Sequence, residues 1–415
     1  MDKNKNQRKE KLHELAQNIS NHKFVDLFVE NYVLETSFSR KDVINREIIV
    51  PAKLLNLIDV NSQDYIDRCP IGKVAVLIPK NSIGLTVVKA IASSYLMGNK
   101  TIVYFPSSIK KTAKIYQELL TSTLDDIEVV DNDITSAAFM RKCINSKDVD
   151  AIVVYGDDCW IDAYKKIALQ HKTKIIFEGP GNDPMIVFPD SDLKLAAEGA
   201  IRGGLNNGGQ SCSAIERFFV HEKCLEEFLS ELIEKLKIIK LGTPNDLKTD
   251  IGPIASNKIF SRIIRQIKES VEMGAVIKFG GSIIKDEITN LPILEPTILT
   301  NCEVEFPIVK EETFGPVFPI VTFNSEIELL HLLDNTKYGL NACSYGTTPI
   351  NIVNYLENSH RNVYYNSTPS CMVNLSTRLM DGGYGRSGFI WDFDKNEDER
   401  TGIRKLSIEL SKKCN

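Results

Sequence analysis

No two cysteines of this chain stand in a Cys-x-x-Cys spacing, and only six histidines occur in its 415 residues. No apolar run approaches the roughly 20 residues that cross a bilayer. Each scarcity removes a class of protein. Nine cysteines, an odd number scattered without pairs, argue against a disulfide scaffold and against a zinc site. Six histidines leave few candidates for a histidine-based triad, and His171, His221, His331 and His360 lie in charged or amphipathic stretches that suit the surface. The N-terminus "MDKNKNQRKEKLHEL" is polar with no apolar segment behind it, so a cytoplasmic protein is the expectation. The basic stretch "SSIKKTAK" is interrupted at helical spacing and the net charge is −5. Nucleic acid and membranes are therefore not expected partners. Internal repeats and low-complexity segments are also missing.

What is present is ordinary globular composition, 43% hydrophobic and 25% charged, with length enough for two cored domains. From residue 73, short apolar runs alternate with helical patterns: "KVAVLIP" reads as a buried strand, "IGLTVVKAIASSYLMG" as a helix ending at Gly98, and "KTIVYF" as the next strand. "DIEVV", "DAIVVYG" and "KIIFEG" continue the series, and a second series runs from "ERFFVHE" to "NVYYN". Strands joined by single helices predict an α/β fold of two doubly wound domains, the first Rossmann-like and the second a further α/β domain. The boundaries fall at 1–180, with a helical or irregular lead over 1–70, at 181–390, and at 391–415 for a C-terminal tail. In that tail "IRKLSIEL" reads as a final strand. Ligands of such sheets bind beyond the carboxyl ends of the strands, here near Pro79 to Asn81, Tyr104 to Ser107 and Gly156 to Asp158.

The stretch "GGLNNGGQSCSA", residues 203–214, carries the sharpest chemical signal. Gly203, Gly204, Asn206, Asn207 and Gly208 make a poor helix interior inside a helical pattern, so the chain is expected to break near Cys212 for a reason other than stability. Gly208 and Gly209 let backbone approach a ligand closely. Taken singly, Cys212 reads as a nucleophile or as a small buried residue, and Glu178 as a base or as a solvated strand-end carboxylate. Asn81 in "IPKNS" reads as a ligand contact or as the cap of a helix beginning near Ile83.

In combination these segments resemble the aldehyde dehydrogenase superfamily. "GGQSCSAIERFFVHE" is similar to its nucleophile stretch, and "FEGPGNDP" to its Glu-x-Gly-Gly motif, with Glu178 lying 34 residues before Cys212. "EETFGP" is similar to its Glu-x-Phe-Gly-Pro, and "IPKNS" to its Pro-Trp-Asn; the four motifs occur in the family's order between about 73 and 390. The resemblance implies a Cys212 nucleophile, a Glu178 base that deacylates the thioester, and an oxyanion held by the Asn81 amide and the Cys212 backbone N–H. It implies NAD or NADP as cofactor, with Glu312 on the nicotinamide ribose, Phe314 beside it, Gly156 at the pyrophosphate turn and Tyr104 at the adenosine end. The partner is a small-molecule aldehyde or acyl thioester; no metal is implied. "NSTPSCMVNLSTRLMDGGYGRSG", residues 366–388, lies where the family closes its substrate tunnel, and its "DGGYGRSG" is similar to the family's Gly-Gly-x-x-x-Ser-Gly; Arg378 or Arg386 there meets an anionic substrate group or serves as a salt-bridge partner.

The chain departs from the family in three places. "YFPSS" puts Tyr104 or Phe105 where a lysine contacts the adenosine ribose. "YGDDCWID" follows Gly156 with Asp157 and Asp158, two carboxylates that cap a helix N-terminus but repel a pyrophosphate there. The lead of about 70 residues has no recognisable oligomerisation hairpin, which leaves the strand "LSIEL" as the basis for a homodimer. Three readings follow: an aldehyde dehydrogenase, an acyl-CoA or acyl-thioester reductase of the same fold, and a cofactor-free homologue serving as a binding or structural subunit.

Overall fold

A computed structural model of the chain describes residues 3–62, 64–131, 133–369, 382–392 and 406–414. Two open sheets organise it. The first runs in the order Gly388–Trp391, Lys174–Glu178, Ala151–Tyr155, Lys73–Leu77, Lys100–Tyr104, Ile127–Val130, and is parallel except for Gly388–Trp391. The second runs Asn362–Tyr365, Asn341–Tyr345, Asp183–Val187, Ile215–His221, Val317–Phe323, Thr297–Thr300, Val276–Phe279, with only the last strand antiparallel. The α/β, doubly wound class read from the alternation of patterns is the class observed.

Continuous apolar runs such as "KVAVL" and "AIVVY" form central strands because both faces of a parallel sheet are covered. Successive residues then serve opposite cores. Val74, Val76, Val103 and Val153 pack beneath the N-terminal helices Lys3–Ile19 and His22–Thr36, together with Leu12, Leu15, Phe28 and Tyr32. Ala75, Leu77, Tyr104, Ile152 and Phe177 face the other way, toward helix Ser136–Asn145. The lead thus folds onto the first sheet as helices. The helix expected to end at Gly98 does so, with Gly98 in the left-handed conformation at φ 88°.

Three expectations need correction. Strand Gly388–Trp391 returns to the first sheet and pairs with Lys174–Glu178, so the chain does not divide cleanly at 390: Phe389 and Trp391 find their core there. In the tail, Leu406–Glu409 is a helical turn, and the strand is Ser411–Lys413, paired with Arg68–Pro70 of the same chain. Leu406 and Leu410, four residues apart, are both buried in the core of the first sheet. A disulfide joins Cys69 to Cys414 beside this pairing, with the Cα atoms 5.3 Å apart. The strand that suggested a homodimer is therefore used within the chain. His360 is also buried, 2% exposed, and burial followed by the Arg217 charge pushes its pKa down to about 3.

Among the described residues no helix is long and apolar enough to cross a membrane, and no group of His, Cys, Asp and Glu is arranged to hold a metal ion.

Candidate active site

The crossover between the sheets builds the site. The chain leaves the carboxyl end of the first sheet at Glu178 and enters the second at Asp183 after only four residues. The carboxyl end of one sheet is thereby set against the amino end of the other. Cys212 precedes strand Ile215–His221, and Phe314 precedes Val317–Phe323, so both lie at that amino end.

Helix Leu193–Gly204 delivers the cysteine. Asp192 caps it, accepting from the Leu195 N–H at 3.1 Å, and its last turn packs Gly203 on Ile215 and Gly204 on Phe318. The helix runs through Gly203 and ends at Gly204, where both glycines serve close packing. The break follows at once, with Asn207, Gly208 and Gly209 at φ 55°, 64° and 78°. That left-handed run reverses the chain and places Cys212 three residues before the strand.

Two bare backbones close the site. A Cβ on Gly181 would fall 2.1 Å from the Cys212 carbonyl oxygen, and one on Gly209 would fall 2.3 Å from the Gly315 carbonyl carbon. Any side chain at either position would push apart the three segments that carry Glu178, Cys212 and Glu312.

Asn81 is drawn to the same loop. Its carbonyl accepts from Asn207 Nδ2 at 3.2 Å, and its own Nδ2 donates to the Gln210 carbonyl at 3.4 Å. The helix beginning at Ile83 takes Ser82 as its cap position, so Asn81 is not that helix's cap. A donor held at 3.4 Å is weakly engaged and open to a better acceptor.

On the far side, Phe314 sits at φ 60°, an uncommon value for a residue with a side chain. Glu216 holds it there: one carboxylate oxygen accepts from the Phe314 N–H at 2.7 Å, the other from the Thr313 N–H at 2.8 Å. Burial pushes the Glu216 carboxyl up to about 8, against those two donors. Glu312, one residue before this turn, is pushed well above the usual carboxylate range by burial and then by the Glu216 charge, with Arg262, 3.6 Å away, opposing. Gln266 Nε2 donates to the Glu312 carbonyl at 3.2 Å.

Cys212 is half-buried between these elements. Burial pushes its thiol up to about 12, reinforced by the charges of Glu312, Glu178 and Asp183 and opposed by Lys89 on the π-helical turn Val87–Ala92. At neutral pH the sulfur is a thiol, and the nucleophilic thiolate is a minor form. Alkylation of Cys212 by iodoacetamide, followed by peptide mass mapping, is therefore expected to accelerate about tenfold per pH unit from neutrality and to keep rising past about pH 9.5, where an ordinary exposed thiol levels off. A plateau near neutral pH would show an activated thiolate and contradict this environment.

Gly156, at φ 144°, ends strand Ala151–Tyr155 with exposed backbone, and its N–H donates to the Glu178 carbonyl at 3.1 Å. The turn after it is not the expected helix N-terminus: a 3-10 turn, Ile161–Tyr164, precedes the short helix Lys165–His171. Asp158 is neutralised by Lys337 Nζ at 2.9 Å and Arg386 Nε at 3.0 Å, whose pull outweighs burial and lowers its carboxyl. Asp157 accepts from the Cys159 N–H at 3.1 Å and forms no salt bridge among the described residues. Arg386 also bonds Asp162 at 3.1 and 3.2 Å, so its guanidinium is committed to the salt-bridge role. Arg378 lies outside the described residues. Tyr104 requires correction: it is 1% exposed, stacks on Phe139 and donates its hydroxyl to the Ile134 carbonyl at 2.7 Å. Phe105 is buried on the opposite face, so neither ring reaches the crevice.

The family model for aldehyde dehydrogenases matches residues 12–399. The chain belongs to the aldehyde dehydrogenase family. It is 35% identical over 286 residues to betaine aldehyde dehydrogenase of Bacillus subtilis, a match that spans 68% of this chain and 58% of that protein. It is 31% identical over 367 residues to a lactaldehyde dehydrogenase of Methanococcus maripaludis, covering 85% and 76% of the two chains. In fold it is similar to betaine aldehyde dehydrogenase of Staphylococcus aureus in complex with NAD+, at TM-score 0.79, 24% identity and coverage of 99% and 82%. It is also similar to 3,6-anhydro-L-galactose dehydrogenase, at TM-score 0.82, 21% identity and coverage of 99% and 87%.

In this member of the aldehyde dehydrogenase family, three contributors to the site escaped the sequence reading: Glu216, Asn207 and Lys89. Glu216 had a usable signal, since a carboxylate inside the buried strand "IERFFV" must have donors to face. Lys89 had none, because only the fold shows which helix turn looks at Cys212.

Proposed function

We propose that this protein oxidises a small-molecule aldehyde to a carboxylic acid with NAD or NADP as hydride acceptor, through a thioester on Cys212. The observation that carries the reading is the convergence on one thiol of Glu178, Glu312 and the Asn81 loop, from segments far apart in the chain. The names of the relatives, betaine aldehyde and lactaldehyde dehydrogenase, support a small aldehyde as substrate.

Cys212 Sγ attacks the aldehyde carbon, forming the C–S bond while its proton passes to the Glu178 carboxylate. A thiol held near 12 does not ionise in advance, so proton loss accompanies attack. The carbonyl oxygen becomes anionic and meets two donors: the loosely held Asn81 amide and the Cys212 N–H, for which no acceptor is found among the described residues. Hydride then leaves the hemithioacetal carbon and a thioester remains. Glu178 first gives up the thiol proton to solvent; as a carboxylate again, it takes a proton from water as the water oxygen attacks the thioester, and the C–S bond breaks to release the acid and the Cys212 thiolate, which takes up a proton to restore the thiol.

The crevice suits a dinucleotide at its inner end. Glu312, half-buried beside the thiol, would hold ribose hydroxyls, and the exposed Gly156 backbone leaves space at the sheet end, where among the described residues only Trp160 Nε1 comes within 4.0 Å of a Cβ position. Neutralisation of Asp158 removes one of the two charges that would repel a pyrophosphate. A bound nicotinamide supplies the hydride acceptor, and this chain's own residues supply the rest. Reduced nicotinamide is expected to form with betaine aldehyde, lactaldehyde or succinate semialdehyde and either NAD or NADP. Failure of the folded protein with all of these would count against the reading.

A further inference from the structure

We infer that Glu35 selects NAD over NADP, by filling the helix N-terminus at which the 2′-phosphate of NADP would be received. This rests on the dinucleotide reading above.

In doubly wound sheets the cofactor crosses the point where strand order reverses, and its adenosine ribose lies over the carboxyl end of the strand beside that point. Here the reversal lies between Lys73–Leu77 and Ala151–Tyr155, and the neighbouring strand is Lys100–Tyr104. An acid at that strand end accepts ribose hydroxyls and favours NAD, whereas a cation or free N–H groups favour the extra phosphate. The local sequence, Phe105, Pro106, Ser107 and Ser108, supplies neither acid nor cation. Phe105 is buried, and the two serines are exposed.

The acid comes from elsewhere in the chain. Helix Lys110–Thr123 starts just past Ser108, and Glu35, on helix His22–Thr36, reaches across to its first turn. One Glu35 oxygen accepts from the Lys111 N–H at 2.8 Å; the other accepts from the Thr112 N–H at 3.0 Å and the Thr112 hydroxyl at 2.6 Å. The donors that would greet a phosphate are thus already satisfied by a carboxylate. The first oxygen carries a single donor and keeps a lone pair for a ribose hydroxyl.

The cations nearby do not reverse this. Lys110 is paired with Asp133 at 2.7 Å. Lys80, half-buried in the "IPKNS" turn, feels Glu35 as its charged neighbour. A 2′-phosphate, carrying close to two negative charges, would have to displace Glu35 or sit against it.

Calorimetric titration of the full chain with NAD, NADP, ADP and 2′,5′-ADP tests this, with Glu35→Ala and Glu35→Gln beside the wild type. The wild type is expected to bind NAD at least about tenfold tighter than NADP, and each variant to shift that ratio about tenfold toward NADP, with 2′,5′-ADP following NADP. A purely structural cap would weaken both dinucleotides together and leave the ratio unmoved. Wild-type NADP binding as tight as NAD, or an unmoved ratio in the variants, overturns the inference. Wild-type protein that binds neither overturns the dinucleotide reading with it, so the two failures are distinguishable.

Discussion

Turnover is expected to vanish in Cys212→Ala, by about four to six orders of magnitude, while the thermal midpoint stays within a few degrees of wild type. The asymmetry follows from how the residue is held. Its sulfur contributes the only bond that links substrate carbon to protein in the proposed mechanism, so no neighbour can stand in for it. Its structural contribution is small: the thiol is half-buried, and the turn is set by Asn207, Gly208, Gly209 and the Gly181 contact to its backbone. Alanine retains that backbone. Aldehyde-dependent reduction of the cofactor, read beside thermal unfolding, makes the check. Retained turnover would exclude the thioester, and a collapse of the midpoint would mean that the thiol is a packing residue.

Glu178→Gln is expected to lower kcat by about two to four orders of magnitude and to leave an acyl group on Cys212 that intact-protein mass detects. Glutamine keeps the shape of the strand end and cannot take a proton. Both proton transfers assigned to Glu178 suffer, but unequally. Water is a far weaker acid than a thiol near 12, so attack on the thioester depends on the base more than attack on the aldehyde does. The intermediate therefore accumulates between the two steps. A variant that turns over normally with unmodified protein would remove Glu178 from the role. A slow variant with no accumulated acyl group would confine Glu178 to the first transfer.

The sheets and the nucleophile turn were legible along the chain because their causes are local. A short continuous apolar run between helical patterns needs only its own neighbours to be read as a covered strand, and a run of Asn and Gly before Cys212 favours left-handed backbone there. The reading went astray where a residue had two faces or two partners to choose from. Tyr104 stands at a strand end facing ligand space in sequence, yet the pleat turns it toward Phe139. The glycines at 203 and 204 read only as a poor helix interior, whereas the close approach of Ile215 and Phe318 is what requires them.

The sequence by itself determined the α/β class, the family, and the loop that carries Cys212. Only the tertiary structure decided the charge balance around that loop. Asp158 is neutralised by cations 179 and 228 residues away, the helix at Lys110 is capped by Glu35 from 76 residues earlier, and the tail is held to Arg68–Pro70 from the other end of the chain. Backbone preferences act between neighbours and can be read in order. Charges act through space, and their partners are known only once packing has brought the elements together.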